Sequence, residues 1–146
     1  MLRSGAGALL YGAVSEIDFF PDPISIKDLR GDRPNFHMLD AETAVVVLVL
    51  PDQTFRVLRD ICPHMGGPLS EGQYDPKEGT LQCRWHGYIF EVDTGSFREN
   101  PNDEVYACMR HLYTSFKPDT RPRYRLPTLA YEVRNNQLFV RRGRVT

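Results

Sequence analysis

The sequence has few cysteines, little net charge and no long apolar run. Three cysteines in 146 residues, without scaffold-like spacing, exclude a disulfide framework and favour a reducing compartment, so we expect a cytoplasmic protein. The formal net charge of −1 gives no reason to expect nucleic acid or an anionic membrane as a partner. The longest apolar run, AVVVLVL at 44–50, is far too short to cross a bilayer. The length and the hydrophobic fraction of 41% predict one globular domain with its own core.

Short segments with a β pattern occupy most of the chain. The aliphatic run at 44–50 predicts a strand that is buried on both faces. A turn at 51–53 then returns the chain as a second strand over 54–59. Many short strands at close spacing predict an all-β fold of the sandwich or small-barrel type. The other strands are predicted at 24–26, 80–83, 88–92, 96–98, 129–134 and 137–142, the last two joined by a turn at Asn135-Asn136.

One segment departs from the β pattern. In PNDEVYACMRHLYTSFKP, residues 101–118, apolar side chains recur at helical intervals, acidic residues open the segment and a proline ends it. This pattern predicts a short helix of about three turns. The helix lies within an insertion at about 99–124. We therefore expect an N-terminal extension over 1–22, followed by a domain over 23–143 that contains the insertion.

Two Cys–His pairs, each followed by glycine, are the chemically informative feature. In CPHMGG at 62–67, Pro63 favours extended backbone before it, and the glycines allow φ values that other residues avoid. The segment is therefore predicted to be a tight loop that presents two ligands. CRWHG at 83–87 has the same character and lies between two predicted strands. The candidate metal ligands are Cys62, His64, Cys83 and His86.

The donor set alone leaves the kind of metal centre open. Zinc accepts two cysteines and two histidines, but its structural sites usually take both cysteines from one turn and both histidines from a helix. Here each loop supplies one of each, which suits a two-iron cluster with the cysteines on one iron and the histidines on the other. A third pair, Cys108 and His111, lacks a glycine turn and lies on the predicted helix, so we interpret it as packing.

The two loops resemble the motifs of the Rieske ferredoxins and of the Rieske domains of ring-hydroxylating oxygenases. Those motifs are C-P-H-x-G-x-P-L and C-P-x-H-G-x-x-F-D-x-x-T-G. The sequence has CPHMGGPL at 62–69 and CRWHGYIFEVDTG at 83–95, with Arg84 in place of proline and Glu91 in place of aspartate.

The resemblance implies a fold, a cofactor and a ligand set. The expected fold is all-β, with stacked small antiparallel sheets, a cluster-binding tip made of two loops, and one short helix in the insertion. The expected cofactor is a Rieske-type [2Fe–2S] cluster. The resemblance further implies that Cys62 and Cys83 bind the buried iron and that His64 and His86 bind the solvent-facing iron.

The resemblance also separates this chain from the membrane-bound respiratory Rieske proteins. Tyr88 and Phe90 stand where that branch has two hydroxyl groups that donate hydrogen bonds to sulfur. Gly67 and Trp85 stand where it has two further cysteines. The similarity is thus to the low-potential branch of soluble proteins.

We expect the chain to carry electrons and not to catalyse a reaction by itself. Oxygenases that resemble it have a second domain that binds a mononuclear iron through two histidines and a carboxylate. After His86 only 60 residues and one histidine follow. The expected partners are a reductase, which is a flavin or iron–sulfur protein, and a terminal oxygenase, with no nucleic acid and no membrane involved. The alternatives are a zinc-stabilised binding module without redox activity and a detached Rieske or regulatory subunit of a larger oxygenase complex.

The expected docking surface lies around the exposed iron. The partners should dock near His64, His86, Met65 and Trp85, on a small apolar patch that also includes Gly66 and Pro68 and is rimmed by Arg84 and Glu71.

Overall fold

The computed structural model describes residues 18–103 and 124–143 of the chain. In these residues the structure has eleven short strands and two three-residue 3-10 turns, Ile26–Asp28 and Leu69–Glu71. The strands are β1 (Ile24–Ser25), β2 (Asn35–Met38), β3 (Ala44–Val49), β4 (Phe55–Arg59), β5 (Gln73–Asp75), β6 (Thr80–Gln82), β7 (Ile89–Glu91), β8 (Phe97–Glu99), β9 (Thr128–Leu129), β10 (Tyr131–Arg134) and β11 (Gln137–Val140). The prediction of an all-β fold is confirmed.

Three small antiparallel sheets organise these strands. One has the order β1-β11-β10, the second β2-β3-β4-β9, and the third β5-β6-β7-β8. The second sheet is the middle layer, because one of its faces packs on the first sheet and the other on the third. Consecutive valines of β3 therefore face opposite cores, and both Val46 and Val47 are fully buried. The predicted burial of this strand on both faces is confirmed.

Turn chemistry explains two of the hairpins. Asn135 and Asn136 both adopt positive φ, at 50° and 60°, as the two-residue turn between β10 and β11 requires. Between β3 and β4, Gln53 has a φ of 66°, and the Asp52 carboxylate accepts a hydrogen bond from the backbone N–H of Thr54. The predicted hairpin over 44–59 is confirmed, and so is the predicted turn at Asn135-Asn136, which joins β10 to β11.

Some strand predictions differ from the structure. The predicted strand at 129–134 is split at Ala130, because β9 pairs with β4 in the middle sheet whereas β10 pairs with β11. The predicted strand at 24–26 ends at Ser25, and the 3-10 turn begins at Ile26. The strands β2 and β5 were not predicted at all.

The predicted domain boundary at residue 23 stays a prediction. Phe19 and Phe20 precede it, are buried, and lie beside β11, where the backbone N–H of Phe20 donates to the carbonyl of Val140 at 2.9 Å. The guanidinium of Arg134 lies over the rings of Phe19 and Phe139, 5.2 and 4.7 Å from their centroids.

The predicted helix and the Cys108–His111 pair lie outside the described residues. The backbone N–H of Phe97, in β8 just before the predicted insertion, donates to the carbonyl of Tyr124, at the end of that predicted insertion, at 3.2 Å. In the part of the chain that the structure covers, no helix has the length and apolar character needed to span a membrane.

Candidate metal centre

The first Cys–His loop, residues 62–67, follows β4 and is closed by two backbone hydrogen bonds. The N–H of Cys62 donates to the carbonyl of Gly67 at 2.7 Å, and the N–H of Gly66 donates to the carbonyl of Cys62 at 2.8 Å. Gly66 has a φ of 81°, which a residue with a side chain adopts only at a cost. The glycine therefore allows the chain to fold back over the cysteine.

The second Cys–His loop, residues 83–88, joins β6 to β7 and repeats the same pattern. The N–H of Cys83 donates to the carbonyl of Tyr88 at 2.9 Å, and the N–H of Gly87 donates to the carbonyl of Cys83 at 2.9 Å. Gly87 has a φ of 75°. In both loops, the cysteine N–H thus donates a hydrogen bond to the carbonyl of the fifth residue after it. The N–H of the fourth residue donates back to the carbonyl of the cysteine.

The two loops bring their cysteines and histidines together. Cys62 and Cys83 are 2% and 1% exposed, and both thiols are free. His64 is half-buried and His86 is exposed, with ring centroids 4.8 Å apart and ring planes at 89°. The structure therefore brings the two histidines together and buries both cysteines in one core cluster, with the sulfurs inside and the imidazoles outside.

The protonation of these side chains fits a metal centre. Burial, and then the neighbouring Cys83, raises the pKa of the Cys62 thiol to about 11. A thiolate at this buried position therefore needs a cationic partner such as a metal ion. Burial, and then the charge of His86, lowers the pKa of His64, which favours the neutral imidazole that binds metals.

One further atom points to a missing partner. The Nδ1 atom of His64 is buried and has no hydrogen-bond partner, whereas buried polar atoms in native proteins almost always have one. Among the residues that the structure describes, no three or more His, Cys, Asp or Glu side chains are grouped so that they could hold a single metal ion. The fit therefore rests on the chemistry of the donors: two buried thiols and an orphaned imidazole nitrogen beside an exposed imidazole.

The side chains that brace the loops were not predicted from the sequence. The Asp60 carboxylate accepts hydrogen bonds from the backbone N–H and the hydroxyl of Ser70, at 2.6 and 2.7 Å, and so joins the two ends of the first loop. The side-chain amide of Gln82 donates to the carbonyl of Gly87 at 3.0 Å across the second loop. In the sequence, Asp60 and Ser70 stand just outside the first loop, on either side of it. Their spacing alone does not predict that the two side chains form a hydrogen bond.

Aromatic and apolar side chains surround the histidines. The ring of Tyr88 is stacked on His64, with centroids 3.9 Å apart and planes at 17°, and the ring of Tyr124 lies 5.6 Å from His64. Met65 and Trp85 are 65% and 57% exposed, and Ile61 is also exposed. Arg84 pairs with Glu71 at 3.9 Å, and both side chains are exposed. The docking surface predicted from these residues stays a prediction.

A model of the Rieske [2Fe–2S] domain matches residues 23–113 of the sequence. The chain belongs to the Rieske [2Fe–2S] domain family. Rieske domains bind a [2Fe–2S] cluster, so this cluster is the cofactor of the chain, as predicted.

The curated relatives of this Rieske chain are much longer proteins. The chloroplastic flavonoid 8-hydroxylase 2 of Ocimum basilicum is 30% identical over 118 residues, which cover 69% of this chain and 22% of that protein. Apoptosis-inducing factor 3 of Homo sapiens is 38% identical over 78 residues, which cover 52% of this chain and 12% of that protein. The chain thus spans less than a quarter of the length of these relatives.

Solved structures with the same fold include a protein of similar size and a larger enzyme. The ferredoxin of carbazole 1,9a-dioxygenase from Nocardioides aromaticivorans IC177 has a TM-score of 0.58 at 16% identity, over 81% of this chain and 95% of that chain. A ferredoxin-sized chain in a complex of reduced oxygenase and oxidized ferredoxin of carbazole 1,9a-dioxygenase has a TM-score of 0.57 at 21% identity, over 80% and 95%. Dicamba monooxygenase with non-heme iron and dicamba has a TM-score of 0.61 at 24% identity, over 83% and 32%. These likenesses show that the Rieske fold is shared.

Proposed function

We propose that this Rieske chain is a one-electron carrier that accepts an electron from a reductase and delivers it to a terminal oxygenase. The proposed ligands are Cys62 and Cys83 for the inner iron and His64 and His86 for the outer iron. A [2Fe–2S] cluster supplies, when bound, a redox couple that gains or loses one electron. The chain supplies the ligands, excludes water from the sulfur side, and presents the imidazole side to a partner.

The observation that carries the proposal is the unequal exposure of the four ligands. Cys62 and Cys83 belong to the core between the middle and third sheets, so the protein insulates that side of the centre. His86 is exposed, and so are the apolar side chains of Trp85, its neighbour in the chain, and of Met65 in the first loop. A small, partly apolar surface at the exposed ligand is what a transient redox partner needs for close approach.

A second candidate is that the chain serves as the Rieske component of a larger oxygenase. The match to less than a quarter of each of the two curated relatives described above favours it, and so does the match to a third of dicamba monooxygenase. The match to nearly the whole of a carbazole dioxygenase ferredoxin favours the separate carrier. A size-exclusion measurement of the purified chain with its native oxygenase separates the two, because a carrier dissociates between turnovers and a subunit does not.

The ligand assignment is tested by metal analysis of single variants. Substituting Cys62, His64, Cys83 or His86 should abolish the cluster, seen as loss of about two iron and two sulfide per chain and of the EPR signal of the reduced protein. The double variant Cys108→Ser His111→Ala is the matched control and should keep a full complement of iron. Loss of iron in this control, or its retention in the four ligand variants, would show that the wrong residues were assigned.

The proposed docking surface is tested by placing a charged side chain on it. Met65→Glu should slow electron transfer from a flavin-dependent ferredoxin reductase by about tenfold without changing the visible spectrum, because a carboxylate replaces an apolar contact. The control is Met38→Glu, since Met38 is 50% exposed on the edge strand β2, which belongs to a different part of the fold. Equal rates for the wild type and Met65→Glu would remove this surface from the proposal.

A further inference from the structure

The two Cys–His loops contact each other through equivalent positions. Counted from its cysteine, each loop has a ring at the second residue after it, His64 in the first loop and Trp85 in the second. The fifth residue after the cysteine is Gly67 in the first loop and Tyr88 in the second. The structure pairs these positions crosswise: His64 stacks on Tyr88, and Trp85 packs on Gly67.

The contact between Trp85 and Gly67 leaves no room for a side chain on the glycine. A Cβ atom at Gly67 would lie 2.8 Å from both Cγ and Cδ2 of the indole and 3.2 Å from its Cε3. The indole therefore lies directly against the Gly67 backbone. Gly67 does not adopt positive φ, so alanine is compatible with its backbone, and the three atoms nearest to a Cβ there all belong to the indole.

The contact between Tyr88 and His64 fixes the other side. Their rings are nearly parallel and 3.9 Å apart, so the Tyr88 ring limits rotation of the imidazole about its Cβ–Cγ bond. Tyr88 also lies next to Phe97 and Tyr124, at 5.3 and 6.1 Å between centroids, and these rings hold it in place.

We propose that Trp85 and Tyr88 are positioning residues that clamp the first loop onto the second and so fix the orientation of His64 relative to His86. The proposal rests on the proposed ligand set, since its consequence is retention of the cluster. The ion pair between Arg84 and Glu71 also spans the two segments, but both side chains are mostly exposed and such pairs contribute little. The ring contacts, together with the two buried cysteines, connect the loops by packing.

A double-mutant cycle tests the Trp85 side of the clamp. The measured quantity is the half-life of the visible absorption of the oxidised holoprotein in excess EDTA. Gly67→Ala should shorten it by about tenfold, because the Cβ forces the indole away. Trp85→Ala should shorten it by about threefold through loss of packing, and the double variant should match Trp85→Ala alone, because the added Cβ then meets no ring.

Gly66→Ala is the matched control for this cycle. A Cβ at Gly66 meets nothing within 4 Å, but its φ of 81° is strained for alanine. The effects of Gly66→Ala and Trp85→Ala should therefore multiply, whereas those of Gly67→Ala and Trp85→Ala should not. Multiplying effects in the Gly67–Trp85 cycle would overturn this side of the clamp.

The Tyr88 side is tested by comparing two substitutions. Tyr88→Phe keeps the stacked ring and should leave the EPR g values and the reduction potential as in the wild type. Tyr88→Leu removes the ring and should broaden the EPR signal and shorten the half-life in EDTA by about threefold. A full effect already present in Tyr88→Phe would assign the role to the hydroxyl and overturn the stacking argument.

Failure of the clamp and failure of the ligand assignment give different results. A wrong ligand set appears as iron retained in the His64 or Cys62 variants. If the clamp proposal is wrong, the wild type keeps its cluster, and Gly67→Ala and Tyr88→Leu lose theirs in EDTA no faster than the wild type does. Far-UV circular dichroism of each variant confirms that the sheets are folded before the half-lives are compared.

Discussion

Asp60 is the residue whose removal should loosen the first loop most. It follows β4, and its carboxylate accepts hydrogen bonds from both the backbone N–H and the hydroxyl of Ser70, which lies in the 3-10 turn after the loop. The backbone N–H of Asp60 donates to the carbonyl of Ala44 at 3.0 Å, so the carboxylate stands on the end of the middle sheet. A single side chain thus ties the exit of the loop to its entrance.

The size of the effect follows from the number and kind of these bonds. Hydrogen bonds to a charged group contribute about 1.5–3 kcal/mol each. At a half-buried site, hydrogen bonds to water replace part of this stabilisation when the carboxylate is removed. Asp60→Ala should therefore lower the free energy of unfolding by about 2–4 kcal/mol. Asp60→Asn should cost about 1 kcal/mol, since its amide oxygen accepts from the Ser70 N–H while its NH₂ donates to the hydroxyl. Ser70→Ala, which loses only the hydroxyl, should also cost about 1 kcal/mol.

The assay combines urea denaturation with release of the cluster. Unfolding is followed by far-UV circular dichroism, and cluster release by visible absorption in EDTA at a urea concentration well below the unfolding midpoint. Asp40→Ala is the control, because the Asp40 carboxylate also accepts two hydrogen bonds, from the backbone N–H groups of Glu42 and Thr43, in a turn next to β3. Asp60→Ala should accelerate cluster release and Asp40→Ala should not. If Asp60→Ala changed stability by less than about 0.5 kcal/mol, or released its cluster no faster than the control, the loop would be held by something else.

Two further predictions concern the insertion and the reduction potential. Deleting residues 104–122 and joining the ends with a short glycine linker should leave the visible and EPR spectra unchanged, because the hydrogen bond from Phe97 to Tyr124 joins the chain on the two sides of this segment. Loss of iron would contradict this, and weaker partner binding with an intact spectrum would make the segment a docking element. Phe90 is fully buried and has no hydroxyl to donate to a sulfur, which lowers the potential by roughly 20–65 mV relative to a hydroxyl at that position. Voltammetry of the holoprotein should therefore give a value toward the low end of about −150 to +300 mV, and a value well above zero would refute the argument.

The parts of the fold that sequence analysis predicted are those governed by local patterns. A continuous aliphatic run has no face that tolerates water, so β3 had to lie between two layers. The Asn135-Asn136 pair is suited to positive φ, which places a hairpin there whatever surrounds it. The two glycine loops were predicted for the same reason, since cysteine, histidine and glycine at short spacing specify a tight turn with ligands.

The parts that were missed depend on partners that are remote in sequence. The strand β2 has a weak pattern, and it is held by pairing with β3 and by the side chain of Asn35, which donates to the carbonyls of Arg30 and Val47. The split at Ala130 likewise follows from two different partner strands. Local propensity does not contain these pairings, because they arise only when the sheets assemble.

The repeated loop geometry explains why the two histidines differ in exposure. Both loops have the same pair of closing hydrogen bonds, but the histidine is the second residue after the cysteine in the first loop and the third in the second loop. His64, at the second position, is half-buried against Tyr88 of the opposite loop, whereas Met65 and His86, at the third positions, are exposed. Moving the histidine by one residue therefore gives one proposed ligand that is braced by Tyr88 and one that faces solvent. Met65 occupies the position equivalent to His86 and is exposed as well, so the first loop presents an apolar side chain where the second loop presents its histidine.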